Sequence, residues 1–198
     1  MNIAIFASGA GTNAQIIINT LQSYIPNQNT SVRLIVTNNR KAGVIEIAKN
    51  TQLPFEILDL KNIPAQQHAP LYLNILKKYQ IDFIVLAGYL KKIPQEVTAV
   101  FPQKIINIHP ALLPAYGGKG MFGKHVHEAV LAAGEIQSGI TIHFVDEVYD
   151  HGRIIFHARC QVEPNETAES LSMKIHALEH SHYTRVISTV ILSQFPVK

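Results

Sequence analysis

An asparagine and a histidine stand two residues apart, in Ile105-Ile106-Asn107-Ile108-His109-Pro110. Asn107 can donate two N–H bonds to an oxygen that develops negative charge, and His109 can transfer a proton near neutral pH. This pair of side chains suits acyl transfer. On spacing alone a second interpretation stays open, in which both side chains only cap a strand end and bond to loop backbone.

The isoleucines around this pair predict the element that positions it. Ile105, Ile106 and Ile108 indicate a buried strand, and Pro110 cannot donate to a strand ladder, so the strand should end near His109. Successive side chains of a strand alternate between its two sides. We therefore expect Asn107 and His109 on one side at the carboxyl end, where open α/β sheets bind ligands.

Apolar runs and amphipathic stretches alternate along the rest of the chain. They predict strands at 2–7, 32–36, 55–58, 83–86, 105–109, 139–144 and 153–158, and helices after residue 13 and at 44–49, 70–79, 126–133 and 168–194. In the last helix we expect one buried face with Leu171, Ile175, Leu178 and Val186. Strict alternation predicts an α/β fold, a doubly wound, mostly parallel Rossmann-like sheet with helices on both faces.

Composition limits the class of protein. The chain has 198 residues, 47% of them hydrophobic and 16% charged, which favours one globular domain over 1–198. A net charge of +3 gives no argument for a nucleic-acid partner and is compatible with anionic small substrates. One cysteine, Cys160, excludes an internal disulfide and fits a reducing compartment. No apolar run reaches membrane-span length, so we expect a cytoplasmic protein without membrane contact.

A glycine loop follows the first predicted strand. It contains Gly9-x-Gly11-x-x-Ala14, a pattern that brings backbone amides close to an anion at a helix N-terminus, and Thr12 and Asn13 can add side-chain donors. A dinucleotide site also needs an acidic residue after the second strand, where this chain has Asn38-Asn39-Arg40. The loop therefore favours a phosphate monoester over a nicotinamide cofactor, and a purely structural turn stays an alternative.

Other polar clusters have both a functional and a structural interpretation. Asp146, Glu147 or Asp150 can hold His109 in one tautomer and raise its pKa, whereas acidic residues in such a turn are more often only solvated. Residues 117–123 are rich in glycine and form either a lid or a plain connection. The histidines are scattered and lack zinc-site spacing, so no metal is expected.

Four ordered motifs, which together cover nearly the whole chain, resemble those of phosphoribosylglycinamide formyltransferase. They are Ser8–Asn13, Asn107–Pro114, His143-Phe144-Val145 with Asp150 six residues after Phe144, and Glu179-His180. The resemblance implies the fold of the formyltransferase N-domain. It also implies transfer of a formyl group from 10-formyltetrahydrofolate, the co-substrate, to the amine of glycinamide ribonucleotide, without a metal.

The same resemblance assigns roles to individual residues. It implies that Asn107 and a protonated His109 stabilise the tetrahedral oxyanion, while Asp150 raises the histidine pKa and relays a proton through water. It places the ribonucleotide on Gly11, Thr12, Asn13 and Glu179, and the folate on Tyr89, Leu90, Lys91, Lys92, Ile93 and Asn107. Many relatives carry an arginine in the loop before the third helix; residues 60–75 contain none, and Lys61 and His68 are the candidates to replace it.

Three alternatives stay open at this point. A 10-formyltetrahydrofolate deformylase passes the formyl group to water and usually carries an N-terminal regulatory domain. A methionyl-tRNA formyltransferase has an added C-terminal RNA-binding domain. Outside enzymes, a phosphate-binding module would bind the ribonucleotide without releasing tetrahydrofolate.

Overall fold

The first half of the chain alternates strands and helices as the sequence predicts. The computed structural model describes residues 1–24 and 30–194. Up to residue 100 its elements are β1 (Asn2–Phe6), α1 (Thr12–Tyr24), β2 (Ser31–Thr37), α2 (Val44–Asn50), β3 (Phe55–Ile57), a 3₁₀ turn (Ala65–Gln67), α3 (His68–Lys78), β4 (Phe83–Leu86) and α4 (Gln95–Val100). Helix α4 was not predicted, because only Val97 of its six residues is buried and so short a segment shows no helical period.

The second half carries the remaining elements. They are β5 (Ile105–His109), α5 (Lys124–Ala132), β6 (Gln137–Phe144), β7 (Ile154–Gln161) and α6 (Ala168–Gln194). Strand β6 begins two residues earlier than predicted and β7 ends three residues later, because these two strands pair with each other over most of their length. Backbone contacts divide the chain into two compact units, one ending at Ile106 and the other beginning at Asn107.

One sheet contains all the described strands, in the order β3-β2-β1-β4-β5-β6-β7. Strand β1 pairs in parallel with β2 and β4, β2 pairs in parallel with β3, and β6 pairs antiparallel with β7. The predicted α/β fold with a mostly parallel sheet is therefore confirmed. In the first unit β1 and β4 are buried almost throughout, as apolar strands covered on both faces must be.

Helix α6 buries a different face from the predicted one. Leu171 and Ile175 are fully buried as expected, whereas Leu178 and Val186 are only half-buried. The buried row continues at intervals of four through Glu179, Tyr183 and Ile187. The charged side chain of Glu179 thus takes a core position that an apolar pattern cannot reveal.

Candidate active site

Strand β5 presents Asn107 and His109 at its carboxyl end, as predicted. His109 is 3% exposed and Asn107 is half-buried, while the neighbouring isoleucines are buried in the core. The backbone that follows is held by Thr141 of β6, whose hydroxyl donates to the Ala111 carbonyl at 2.7 Å and accepts from the Leu113 amide at 2.9 Å. This buried hydroxyl fixes the direction in which the chain leaves the strand.

His109 lies between two hydrogen-bond acceptors. Its Nε2 lies 2.8 Å from the Tyr116 carbonyl oxygen, and its Nδ1 lies 3.6 Å from Oδ2 of Asp150. A carbonyl oxygen can only accept, so Nε2 carries a proton and Nδ1 is the atom that gains or loses one. Only the imidazolium can donate to both acceptors at once.

Burial disfavours the positively charged imidazolium of His109. Desolvation lowers the pKa of His109, with a smaller contribution from His143, and it outweighs the opposite effects of Asp150 and the Tyr116 carbonyl. Asp150 raises the pKa of His109, which is the direction that the resemblance implies, but burial lowers this pKa by more. Asp150 does favour the imidazolium, but the unliganded His109 is mainly neutral at pH 7 and is able to accept a proton on Nδ1.

Asp150 is the one carboxylate of the acidic turn between β6 and β7 that contacts His109. Burial alone would raise its pKa, but the contacts with His143 and His109 and the hydrogen bond from the Gly118 amide, at 2.9 Å, bring the pKa below its usual value. Asp150 is therefore ionised at neutral pH. In contrast, the Asp146 carboxylate accepts from the Val148 amide within its own exposed turn, and Glu147 is exposed, which matches the solvated interpretation for both.

His143 is a site residue to which the sequence analysis gave no role. Its Nδ1 donates to the Phe144 carbonyl at 2.8 Å, so in the neutral ring Nε2 is an acceptor, and it lies 3.1 Å from Nδ2 of Asn107. The second N–H of Asn107 points to Oδ1 of Asp150 at 3.5 Å. Thr141 and His143 alternate with buried isoleucines along β6, just as Asn107 and His109 do along β5. This shared polar–apolar alternation could have identified His143.

The glycine-rich loop contacts His109 and Asp150 directly. A Cβ on Gly117 would lie 2.5 Å from Cδ2 of Leu113 and 3.2 Å from Cβ of Asp150, so only glycine allows this packing. With the Tyr116 carbonyl on His109 and the Gly118 amide on Asp150, residues 116–118 form part of the site.

The glycine loop of the first unit opens a helix, as predicted. Gly11 has φ +83°, and a Cβ there would lie 2.8 Å from Cβ of Val44. Helix α1 starts at Thr12, which is exposed, whereas Asn13 is 9% exposed. This geometry is compatible with a phosphate site and also with a structural turn.

The segment assigned to folate divides into a buried and an exposed part. The Tyr89 hydroxyl lies 2.8 Å from that of Tyr72, burial raises the pKa of Tyr89, and Ile93 is 2% exposed. Leu90 is 47% exposed, and Lys91 and Lys92 are exposed too. In this segment residues 90–92 expose their side chains, whereas Tyr89 and Ile93 are buried.

Glu179 and the two candidates for the missing arginine have definite surroundings. Glu179 is 8% exposed on α6 in the second unit, where its charge contributes, after burial, to the raised pKa of Tyr183. His68 donates to the carbonyl of Ile63, which closes its own loop, whereas Lys61 is exposed.

The structure thus brings Asn107, His109 and Asp150 together within one unit, and Gly11–Asn13 and Tyr89–Ile93 belong to the other.

Neither a metal cluster nor a membrane helix is found in the described part of the chain. Residues 1–24 and 30–194 contain no group of three His, Cys, Asp or Glu side chains able to hold a metal ion. No helix within these residues is long and apolar enough to cross a membrane. His127 is 3% exposed and its Nδ1 has no hydrogen-bond partner among the described residues.

Comparison with known proteins extends over nearly the whole chain. The profile of the family described as formyl transferase matches residues 1–187. The chloroplastic phosphoribosylglycinamide formyltransferase of Arabidopsis thaliana is 42% identical over 95% of this chain, which spans only 64% of that relative's length. The phosphoribosylglycinamide formyltransferase of Bacillus subtilis is 35% identical over 95% of this chain and 93% of its own length.

A solved structure agrees with these sequence matches. The crystal structure of phosphoribosylglycinamide formyltransferase from Bacillus halodurans superposes with a TM-score of 0.87 at 36% identity, covering 96% of this chain and 95% of that one. The β5 pair of Asn107 and His109, and the carboxylate of Asp150 beside it, lie inside the matched residues. The sequence matches and the fold show that the chain belongs to the formyl transferase family.

Proposed function

We propose that this protein transfers the formyl group of 10-formyltetrahydrofolate to the amine of glycinamide ribonucleotide. The products are formylglycinamide ribonucleotide and tetrahydrofolate, in de novo purine biosynthesis. The observation that carries the proposal is the position of His109, whose Nδ1 faces the ionised Asp150 while Nε2 donates to a backbone carbonyl. A neutral imidazole held in this way is a general base whose cation is stabilised as it forms.

In the proposed reaction a neutral primary amine attacks the formyl carbon. The carbonyl oxygen gains negative charge, and Asn107 donates an N–H to it. Of the two hydrogen bonds that the Asn107 amide makes, the 3.5 Å contact to Asp150 is the longer and weaker one. This N–H therefore turns to the substrate oxygen, while the bond to His143 keeps the amide oriented. Nδ1 of His109 takes the proton that the amine loses, directly or through water, and Asp150 stabilises the imidazolium. The imidazolium then returns this proton to the folate nitrogen as the C–N bond breaks, so that tetrahydrofolate leaves as a neutral amine and His109 is neutral again.

The proposal also assigns the ligand contacts. Gly11, Thr12 and Asn13 bind the ribonucleotide phosphate, Glu179 binds the ribose hydroxyls, and the segment Tyr89, Leu90, Lys91, Lys92 and Ile93 binds the folate together with Asn107. Support for the phosphate loop comes from the left-handed Gly11 at the start of α1, where backbone amides point out of the helix. No metal takes part in this chemistry, and the partners are small molecules.

Domain organisation and compartment are proposed on compositional grounds. Residues 1–198 form one formyltransferase domain, and the protein acts in the cytoplasm. The support is the apolar globular composition and the single Cys160. Localisation of a tagged protein tests the compartment, because relatives such as that of Arabidopsis thaliana are chloroplastic.

One assay tests the proposed reaction. Purified protein is mixed with 10-formyltetrahydrofolate, with and without glycinamide ribonucleotide, and tetrahydrofolate release is followed together with formation of the formylated ribonucleotide. We expect release only with the acceptor present. Equal release without it would instead identify a deformylase, and ribonucleotide binding without any release would identify a binding module.

A further inference from the structure

Tyr116 contacts His109 through its backbone and Glu135, 19 residues further along the chain, through its side chain. It is a non-glycine residue with φ +57°, in the left-handed region, and its carbonyl accepts from Nε2 of His109 at 2.8 Å. Two residues later the Gly118 amide donates to Asp150. A strained three-residue segment therefore bonds to both members of the His109–Asp150 pair.

The side chain of Tyr116 makes a hydrogen bond outside this segment. Its hydroxyl donates to Oε1 of Glu135 at 2.7 Å, a short bond to a charged acceptor. Glu135 lies in the exposed turn between α5 and β6, and it raises the pKa of the Tyr116 hydroxyl. Within the second unit this bond ties the loop after β5 to the start of β6, the strand that also carries His143.

We propose that the Tyr116–Glu135 hydrogen bond positions the Tyr116 carbonyl and thereby keeps the proton of neutral His109 on Nε2. Both residues act through His109 and are positioning residues. The proposal rests on the proposed function for its kinetic consequence, whereas its effect on the imidazole can be measured without turnover.

Because His109 lies between two acceptors, its tautomer is sensitive to the Tyr116–Glu135 hydrogen bond, which we call the anchor. Neutral imidazole has one N–H, and the charged Asp150 is the stronger acceptor for it. If the Tyr116 carbonyl moves away, the N–H shifts to Nδ1 and bonds to Asp150, so that Nδ1 can no longer accept a proton. The lone pair then lies on Nε2, on the side away from the carboxylate.

The pKa of His109 should change in a defined direction as well. The Tyr116 carbonyl raises this pKa, so its loss lowers the pKa further. The other charged or titratable groups around the ring are Asp150, His143 and His127, and the substitutions at Tyr116 and Glu135 replace none of them. The titratable group that faces the Tyr116 hydroxyl is Glu135, which raises the pKa of that hydroxyl.

Four variants separate the anchor from general stability. Tyr116→Phe removes the hydroxyl, Glu135→Ala removes the acceptor, and Glu135→Gln retains an acceptor oxygen. Tyr79→Phe is the matched control, because Tyr79 donates to Glu56 at 3.0 Å in the first unit and contacts none of the catalytic side chains. The ¹⁵N shifts of His109, with its ring labelled, report the neutral tautomer and the pKa of each full-length protein.

We expect wild type, Glu135→Gln and Tyr79→Phe to show the Nε2–H tautomer. Tyr116→Phe and Glu135→Ala should shift the population towards Nδ1–H, lower the His109 pKa and reduce kcat by roughly three- to tenfold, the effect of one hydrogen bond. An unchanged tautomer in both of these variants would overturn the proposal. Loss of the proposed function has a different signature, namely no formyl transfer by wild type while the ¹⁵N shifts respond as described.

Discussion

Nε2 of His143 lies 3.1 Å from Nδ2 of Asn107, and Nδ1 of the same ring donates to the Phe144 carbonyl. With its one proton on Nδ1, a neutral ring at this position can only accept from Asn107 at Nε2. The amide of Asn107 is thereby held with its nitrogen, and not its oxygen, towards the acidic side of the site. An oxyanion needs this orientation, because it binds N–H donors.

Removing His143 should reduce catalysis through Asn107. His143→Ala leaves a part-buried N–H of Asn107 without its acceptor, at a cost of about 1–3 kcal/mol, so kcat should fall by roughly ten- to a hundredfold. His143→Gln supplies another acceptor and should recover part of the loss. Steady-state kinetics measure both, with the exposed His151→Ala as control. Equal kcat values for the Ala and Gln variants would show that the hydrogen bond does not matter.

Asp150→Asn should separate catalysis from binding. The change keeps the shape of the side chain but removes the charge that stabilises the imidazolium of His109. We expect both ligands to bind near wild-type strength, kcat to fall by at least about a hundredfold and the pKa of His109 to decrease further. NMR titration of His109 together with kinetics measures these effects. Asp146→Asn and Glu147→Gln are the controls, and an Asp150→Asn enzyme with unchanged kcat would refute the assigned role.

The ionised state of Asp150 should also appear in the pH dependence of stability. Its folded pKa is lower than the reference value of 3.8, so its ionised form contributes stability above that pH and the contribution is lost as pH falls through the folded pKa. The free energy of unfolding of wild type minus that of Asp150→Asn should therefore decrease as pH falls below about 3.8. Urea unfolding of both proteins at several pH values measures it. A pH-independent difference would contradict the lowered pKa.

Substitution of Gly117 should displace Asp150. In Gly117→Ala the new Cβ would lie 2.5 Å from Leu113 and 3.2 Å from Cβ of Asp150, so the loop or the carboxylate must move and kcat should fall. Gly120→Ala is the matched control in the same loop, because Gly120 has φ +92° but open space around it. It should cost stability of about 1–2 kcal/mol with little change in kcat. Thermal melts and kinetics on both variants compare the two effects.

The proposed phosphate site predicts a selective loss of affinity. Asn13→Ala should weaken binding of glycinamide ribonucleotide and leave folate binding unchanged, because a hydrogen bond to a charged group contributes roughly 1.5–3 kcal/mol. Asn19→Ala, further along the same helix, is the control. Calorimetry with each ligand gives the two affinities. Equal weakening of both ligands would remove the phosphate assignment.

Local periodicity made part of this site predictable. Asn107 and His109 alternate with buried isoleucines, so the sequence by itself determined that both side chains leave one side of β5 near its end. The glycines of residues 9–11 likewise marked the start of α1, because left-handed backbone at the end of a strand favours glycine. Each of these features depends on neighbours a few residues apart.

The rest depended on contacts between residues far apart in the chain. His143 reaches Asn107 across 36 positions and Asp150 reaches it across 43, so no local pattern could assign the acceptor of the amide. The net direction of the His109 pKa shift was not predictable for the same reason: the charge of Asp150 can be read from a motif, whereas desolvation depends on everything packed around the ring. Tertiary structure alone decided that burial lowers the pKa of His109 by more than the Asp150 carboxylate raises it.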